Sequence, residues 1–331
     1  MLGKKVDFVK GHMGGDEIIL LNGDKVPEGD EINYALSVLE SPHVRGHQAG
    51  LLYRSTGENQ LRVKIISVTG KNYISVCGGL TQVLGKALVE TDFSTHFGIQ
   101  IKEPNTKVLL DTDAGMIPLE IEQHNGTTRR TKTNMYAFVK ECYKLGVKPM
   151  ELEGVKLVKV GEALAINADE VREQYPNANF ERMNESTLRI LERLQKAFVE
   201  KVFTKKEEGV EKRHPGANPR EKKYCTFGLY DLNPQHKGHG RVIFPHYIPT
   251  GHIEPACGTG IVAVGISMLK RGEIKNNKRA VKLLFESGGD ACSIGGPELT
   301  ELDLAVQNGE ITGAYFSHDL VELLATGEIW G

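Results

Sequence analysis

Neither a long apolar run nor an excess of one charge occurs in this chain of 331 residues, in which 41 Lys and Arg stand against 43 Asp and Glu. The near-balance removes the electrostatic footprint of a nucleic-acid binder or of a protein held at an anionic membrane surface. The opening Met1-Leu2-Gly3-Lys4-Lys5 leads into no apolar stretch. Neither a signal peptide nor a membrane span is therefore expected, and a cytoplasmic location is. Cysteine is scarce, with five residues at positions 77, 142, 225, 257 and 292. An odd number suits a reducing compartment better than a disulfide framework, and no two lie close enough in sequence for a structural zinc site. No metal is expected.

A regular alternation of strands and helices is also missing. The first half carries short β-type runs at Val6–Val9, Glu17–Leu21, Leu51–Arg54, Leu61–Val68 and Tyr73–Val76. After one apolar helix come Gly98–Lys102, Lys107–Asp111 and Pro118–Glu122. The second half repeats the plan, with strands at Lys156–Val160, Leu164–Asn167, Lys222–Asp231 and Val242–Ile248 ahead of a second apolar helix. Ser186–Phe203 has helical spacing and many charges and reads as an exposed helix. Thr204–Lys223, rich in charge around His214-Pro215-Gly216, reads as a solvated loop. Strands, one buried helix and more strands, twice over, predict an internally duplicated α+β protein.

Each half places a cysteine and small residues just ahead of its apolar helix. Val76-Cys77-Gly78-Gly79 leads into Leu80–Leu88, and Ala256-Cys257-Gly258-Thr259-Gly260 leads into Ile261–Leu269. A thiolate at a helix N-terminus is stabilised by the positive end of the dipole. The N–H groups beside it can hold a carboxylate or a developing oxyanion. Taken singly, such a cysteine is ordinarily a small core residue and such glycines are turn glycines. Two in matching contexts point to acid–base chemistry from two sides of one substrate. Cys142, Cys225 and Cys292 lack a Gly-rich helix start and read as structural. Cys257–Ala263 also fits the Gly-x-Gly-x-x-Ala pattern of nucleotide-type loops such as those of methyltransferases. Pro255 just ahead of it breaks the strand that pattern requires, and that reading leaves Cys77 unexplained.

Motif by motif the chain resembles the proline racemase family of the diaminopimelate-epimerase-like superfamily. His12-Met13-Gly14-Gly15-Asp16-Glu17 is similar to the family's His-x-Gly-Gly-Glu opening, and Arg45-Gly46-His47 to its Arg-Gly-His segment. Lys71–Gly78 resembles the approach to the first catalytic cysteine, Asp113–Ile117 the strand after it, and Ile253–Gly260 the second catalytic segment. Glu286-Ser287-Gly288-Gly289 and Ile311-Thr312-Gly313 fit the tail. Two departures stand out: Gly79-Leu80 follows Gly78 where the family has His-Gly or Asn-Gly, and Asp-Arg-Ser-Pro is missing before Cys257.

The resemblance implies two pseudo-symmetric lobes, each a curved, mainly antiparallel sheet around a central helix. It implies an N-terminal lobe of residues 1–128, to which 312–331 return, and a C-terminal lobe of residues 129–311. The implied activity is a cofactor-independent amino-acid or imino-acid racemase or epimerase, acting on a small carboxylate substrate without pyridoxal phosphate, as a homodimer. Cys77 and Cys257 are the implied thiol and thiolate pair. The N–H groups of Gly78, Gly79, Gly258 and Thr259 would bind the carboxylate, and Glu254, after a one-residue deletion, the substrate amine. His12 and His47 either brace loops or touch substrate. The alternative is a double-bond isomerase or dehydratase of a small carboxylic acid on the same fold.

Overall fold

The computed structural model describes residues 5–202, 225–247, 252–275, 279–290 and 292–330. The chain divides into two compact units, one of Met1–Asn134 with Ser317–Gly331 and one of Met135–Phe316. The first opens with strands β1 (Lys5–Met13) and β2 (Asp16–Asn22), helix α1 (Glu31–Leu39), and strands β3 (Gln48–Arg54), β4 (Gln60–Ser67) and β5 (Asn72–Ile74). It continues with helices α2 (Gly78–Glu90) and α3 (Phe93–Phe97) and strands β6 (Asn105–Thr112), β7 (Gly115–His124) and β8 (Thr127–Asn134). The second unit holds α4 (Tyr136–Leu145), β9 (Val147–Leu152), β10 (Val155–Val160), β11 (Ala163–Asn167), α5 (Ala168–Gln174) and α6 (Glu185–Val202). Then come β12 (Phe227–Asp231), β13 (Gly240–Tyr247), β14 (His252–Glu254), α7 (Gly258–Arg271), β15 (Ala280–Ser287), β16 (Glu298–Gln307) and β17 (Glu310–His318). The last strand, β18 (Val321–Trp330), pairs antiparallel with β1.

Strand pairing makes explicit the duplication that the order of elements predicts. In the first unit β2–β3 is parallel, β3–β4 and β4–β5 antiparallel, β4–β6 parallel and β6–β7 antiparallel. In the second, β11–β12 is parallel, β12–β13 and β13–β14 antiparallel, β13–β15 parallel and β15–β16 antiparallel. Strand for strand the order is the same, and α2 and α7 fall at the same step. The expected α+β plan, a mainly antiparallel sheet around a central helix, is present in both units.

The period-2 geometry of β2 shows how each sheet serves two layers. Ile18 and Leu20 point into a core built on α2, and Ile19 and Leu21 into a second core under α1. The helix α2 packs against β1, β2, β3, β7, β8 and β18, so the sheet curls round it. Leu80, Val83, Leu84, Ala87 and Leu88 are fully buried there, each larger side chain contributing about 1.5–3 kcal/mol. The helix α7 is buried in the same manner from Ile261 to Leu269. At corresponding positions each helix carries a glycine against which a side chain of the sheet packs closely. A Cβ on Gly85 would lie 2.5 Å from Thr131 Oγ1, and one on Gly265 2.7 Å from Leu302 Cδ2.

Two expectations need correction. Gly98–Lys102 forms no strand: Gly98 ends α3 in the left-handed region, and Ile99 N–H returns to Ser94 O. The next amides go to side chains, Gln100 N–H to Asn59 and Lys102 N–H to Thr106, so no ladder forms. The helix α6 is exposed on one face only; Thr187, Leu191, Leu194, Gln195 and Phe198 are buried in the core of the second unit. The stretch read as a solvated loop, 204–223, lies outside the described residues, as do the first three residues of the strand expected at 222–231 and the last of that at 242–248. Among the described residues no helix is long and apolar enough to cross a membrane.

Candidate active site

Both cysteines of interest occupy the N-cap of a central helix. Cys77 precedes α2 with extended backbone (φ −143°, ψ 117°), and Cys257 precedes α7 in nearly the same conformation (φ −152°, ψ 124°). That geometry points the first turn's N–H groups past the cap, where a helix has no backbone acceptor for them. Gly78 and Gly79 in one unit and Gly258 and Thr259 in the other form these first turns.

In the first unit the Cys77 sulfur turns onto its own helix and accepts Leu80 N–H at 3.4 Å. The turn behind it is locked by buried hydroxyls: Thr81 Oγ1 donates to Gly78 O at 2.7 Å and meets Thr133 Oγ1 at 2.6 Å. Gln82 Nε2 donates to the same Thr133 oxygen at 2.8 Å, and its Oε1 accepts His318 N–H at 3.3 Å. Asp16, only 3% exposed, lies over this helix start; a Cβ on Gly79 would sit 2.7 Å from its Oδ2. His47 Nδ1 meets Asp16 Oδ1 at 3.0 Å, and the Gln48 amide, oriented to satisfy both its atoms, donates to the same carboxylate. The same His47 nitrogen accepts the Glu17 N–H at 3.2 Å, so His47 lies beside Asp16 while the Gln48 amide is the donor to that carboxylate. His12 bridges Gly15 N–H, through Nδ1 at 3.3 Å, and Glu322, through Nε2 at 3.2 Å.

In the second unit the sulfur turns outward to a strand. Cys257 Sγ is 3.2 Å from His246 Nε2 of β13 and 3.4 Å from Thr259 Oγ1. Glu254, buried on β14, brings Oε2 within 3.3 Å of the same His246 nitrogen. On its other side, His246 Nδ1 accepts the Phe227 backbone N–H at 2.7 Å. His246, Glu254 and Cys257 offer donor atoms within 4.8 Å of one another, the spacing of a metal site. The ring argues against one. A metal on Nε2 requires the proton on Nδ1, where the Phe227 N–H already donates.

The remaining cysteines differ among themselves. Burial pushes the Cys142 thiol up to about 12, which leaves it inert. Cys225 is also buried. Cys292, read from sequence as structural, is exposed, its N–H bonded to Asp290 Oδ1.

Asp16 and His246 escaped the sequence reading. Asp16 follows Gly14-Gly15 in a segment already singled out, so an acid at a glycine turn was the available signal. His246 sits near the end of β13 after Pro245 with no local motif, and only pairing with β12 and β14 brings it to Cys257.

No model of a known protein family matches the chain, and neither does any curated protein sequence. Solved structures do. A hydroxyproline epimerase from Agrobacterium vitis, holding trans-4-hydroxy-L-proline, superposes with a TM-score of 0.56 at 16% identity, over 98% of this chain and 91% of that one. A PhzF-family phenazine biosynthesis protein from Bacillus anthracis gives 0.60 at 13% identity, over 99% and 100%. A methylitaconate-delta-isomerase gives 0.58 at 13% identity, over 100% and 96%. The chain therefore has the diaminopimelate-epimerase-like fold along its whole length.

Proposed function

We propose that this protein is an isomerase, and more closely a cofactor-independent racemase or epimerase of a small amino or imino acid. The observation that carries the proposal is the repeated cysteine: the same cap position, on the same central helix, at the same step of two matching units. The names of two structural relatives, a hydroxyproline epimerase and a methylitaconate-delta-isomerase, support isomerisation next to a carboxylate.

In this reading one cysteine is a thiolate and the other a thiol. The thiolate takes the α-proton, the electron pair of that C–H bond passes into the carboxylate as an enediolate, and the thiol returns a proton to the opposite face. For the other enantiomer the roles exchange. The α-carbon of a carboxylate is a very weak acid, so the enediolate must be held by donors already in place. The N–H groups of Gly78, Gly79, Gly258 and Thr259 supply them at two helix N-termini. Glu254 takes the substrate amine. The acid–base pair itself is asked for a factor of about 10²–10⁴. The reading includes a cytoplasmic homodimer with no nucleic-acid partner, which light scattering and nucleic-acid retardation would test.

A double-bond isomerase acting on an unsaturated acid is the second reading. It is favoured by Glu254 already being engaged with His246, which reduces its call on an amine. Incubation of candidate substrates in deuterated buffer separates the two. Racemisation gives α-deuteration with inversion, and double-bond migration gives a new absorbing species. Candidate amino acids and unsaturated acids all recovered without deuterium would end both.

A further inference from the structure

His246 has no part in the chemistry proposed above, yet its ring is held as if for a task. It is 5% exposed on β13, and its two nitrogens differ in duty. A backbone N–H can only donate, so the Phe227 N–H at Nδ1 places the ring proton on Nε2. That single N–H faces two acceptors, Cys257 Sγ at 3.2 Å and Glu254 Oε2 at 3.3 Å. A dyad in which the imidazole takes the thiol proton needs a bare Nε2, and this ring presents a protonated one. His246 is a donor to the sulfur.

We infer that His246 is a positioning residue whose Nε2–H, oriented by Phe227, holds the Cys257 sulfur and favours its thiolate, with Glu254 competing for the same proton. The inference rests on the reading of Cys257 as an acid–base group. Among the described residues, the side chains near that sulfur include Glu254 from β14, His246 from β13, and Thr259 from the first turn of α7. A thiolate can compete with the Glu254 carboxylate for the shared N–H, as a neutral thiol cannot, because a charged acceptor strengthens a hydrogen bond about twofold. Once the sulfur has taken the substrate's proton it is a weak acceptor, and the N–H turns to the Glu254 carboxylate. The Nε2 proton is never transferred; it moves from one acceptor to the other while the α-proton passes from carbon to sulfur. Each thiolate state is thereby matched to one position of a donor that is already built in.

The test is the pH dependence of iodoacetamide alkylation at Cys257, read by peptide mass spectrometry on the full chain. His246→Asn keeps an amide oxygen for the Phe227 N–H but is too short to reach sulfur. His246→Gln carries an N–H to about the place of Nε2. The expected result is that Asn moves the alkylation midpoint upward and slows Cys257 about tenfold below it, while Gln stays within about threefold of the parent. Buried Cys225, close in sequence to Phe227, should stay unreactive in both. An unchanged midpoint in the Asn variant, or a Gln variant no better than Asn, overturns the inference. So does a loss that comes with unmasking of Cys225, since the role is then structural. A parent Cys257 that resists alkylation at every pH overturns the acid–base reading itself, and this inference with it.

Discussion

The two helix starts share a sequence signature, a backbone conformation and a topological address, yet their sulfurs face different partners. Cys77 Sγ caps its own helix through Leu80 N–H, and the turn behind it is stiffened by Thr81, Gln82 and Thr133. Cys257 Sγ makes no cap bond to α7 and meets His246 and Thr259 instead. The nearby carboxylates differ in the same way: Asp16 lies over a helix glycine, while Glu254 reaches the histidine that touches the sulfur. A repeated cap motif therefore specifies where a thiol goes; the strands around it decide what that thiol can become.

The sharpest way to break the comparison is to remove one sulfur at a time. Cys77→Ser and Cys257→Ser should each lower inversion by about 10²-fold or more, as measured by polarimetry. Each should retain deuterium exchange from the one enantiomer whose proton faces the surviving thiolate. A single variant that still racemises near the parent rate shows the two-base mechanism to be wrong.

Glu254→Gln sharpens the difference between the carboxylates. If Glu254 grips an amine, KM should rise about tenfold with kcat nearly kept, as expected for loss of uniform binding. If neither constant moves, a substrate without an amine becomes the better reading.

Close packing at the two starts separates them in stability. A Cβ on Gly260 would lie 2.3 Å from Phe244 Cδ1, against a ring that is fully buried. Gly260→Ala should therefore cost about 1–3 kcal/mol. In Gly79→Ala the obstacle is the Asp16 carboxylate oxygen at 2.7 Å, the end of a short side chain, and the loss should be smaller. Denaturant melts of both variants decide the order.

Acid should loosen the first unit before the second. Burial holds His318 down to about 4 from an ordinary 6.5. The unfolded chain takes up that proton from about pH 6.5 while the folded chain resists, so its contribution is full above 6.5 and is lost as pH falls toward 4. In the second unit, burial pushes Asp231 up but Arg172 and Asn233 outweigh it and hold it below 3.8. Burial likewise raises Glu286, and three backbone N–H groups from Gln235, Lys237 and His236 bring it below 4.5. Their contributions are present above those values and fade only at lower pH. The chain's one tryptophan, Trp330, is on β18 of the first unit, so its fluorescence should change before amide protection is lost in β12 and β15. Simultaneous loss would sink the distinction. The smallest effect is expected for Thr259→Val, which keeps the backbone N–H and removes one contact to sulfur at 3.4 Å. Activity should fall by less than about fivefold.

Much of the fold was legible because its signals are local. The short apolar run Ile18-Ile19-Leu20-Leu21 in β2, a longer one after each Cys-Gly pair and glycines at the turns point to strands and two buried helices without knowledge of their partners. The strand expected at Gly98–Lys102 was misread because apolar residues after a glycine look alike in a strand and in a loop tied down by Asn59 and Thr106. The duplication of the units was only faintly legible. Pairing order is carried by backbone hydrogen bonds, and many different side chains satisfy it.

By itself, then, the sequence determined two cysteines at two helix N-caps, a mixed α+β plan and a charge balance, all of them set by spacing along the chain. The tertiary structure alone decided that Asp16 lies over Gly79, that Phe227 orients His246, and that His246 stands between Cys257 and Glu254. Those contacts join residues from separate strands and helices, and the register of those elements, rather than any neighbouring residue, brings their side chains within hydrogen-bonding distance.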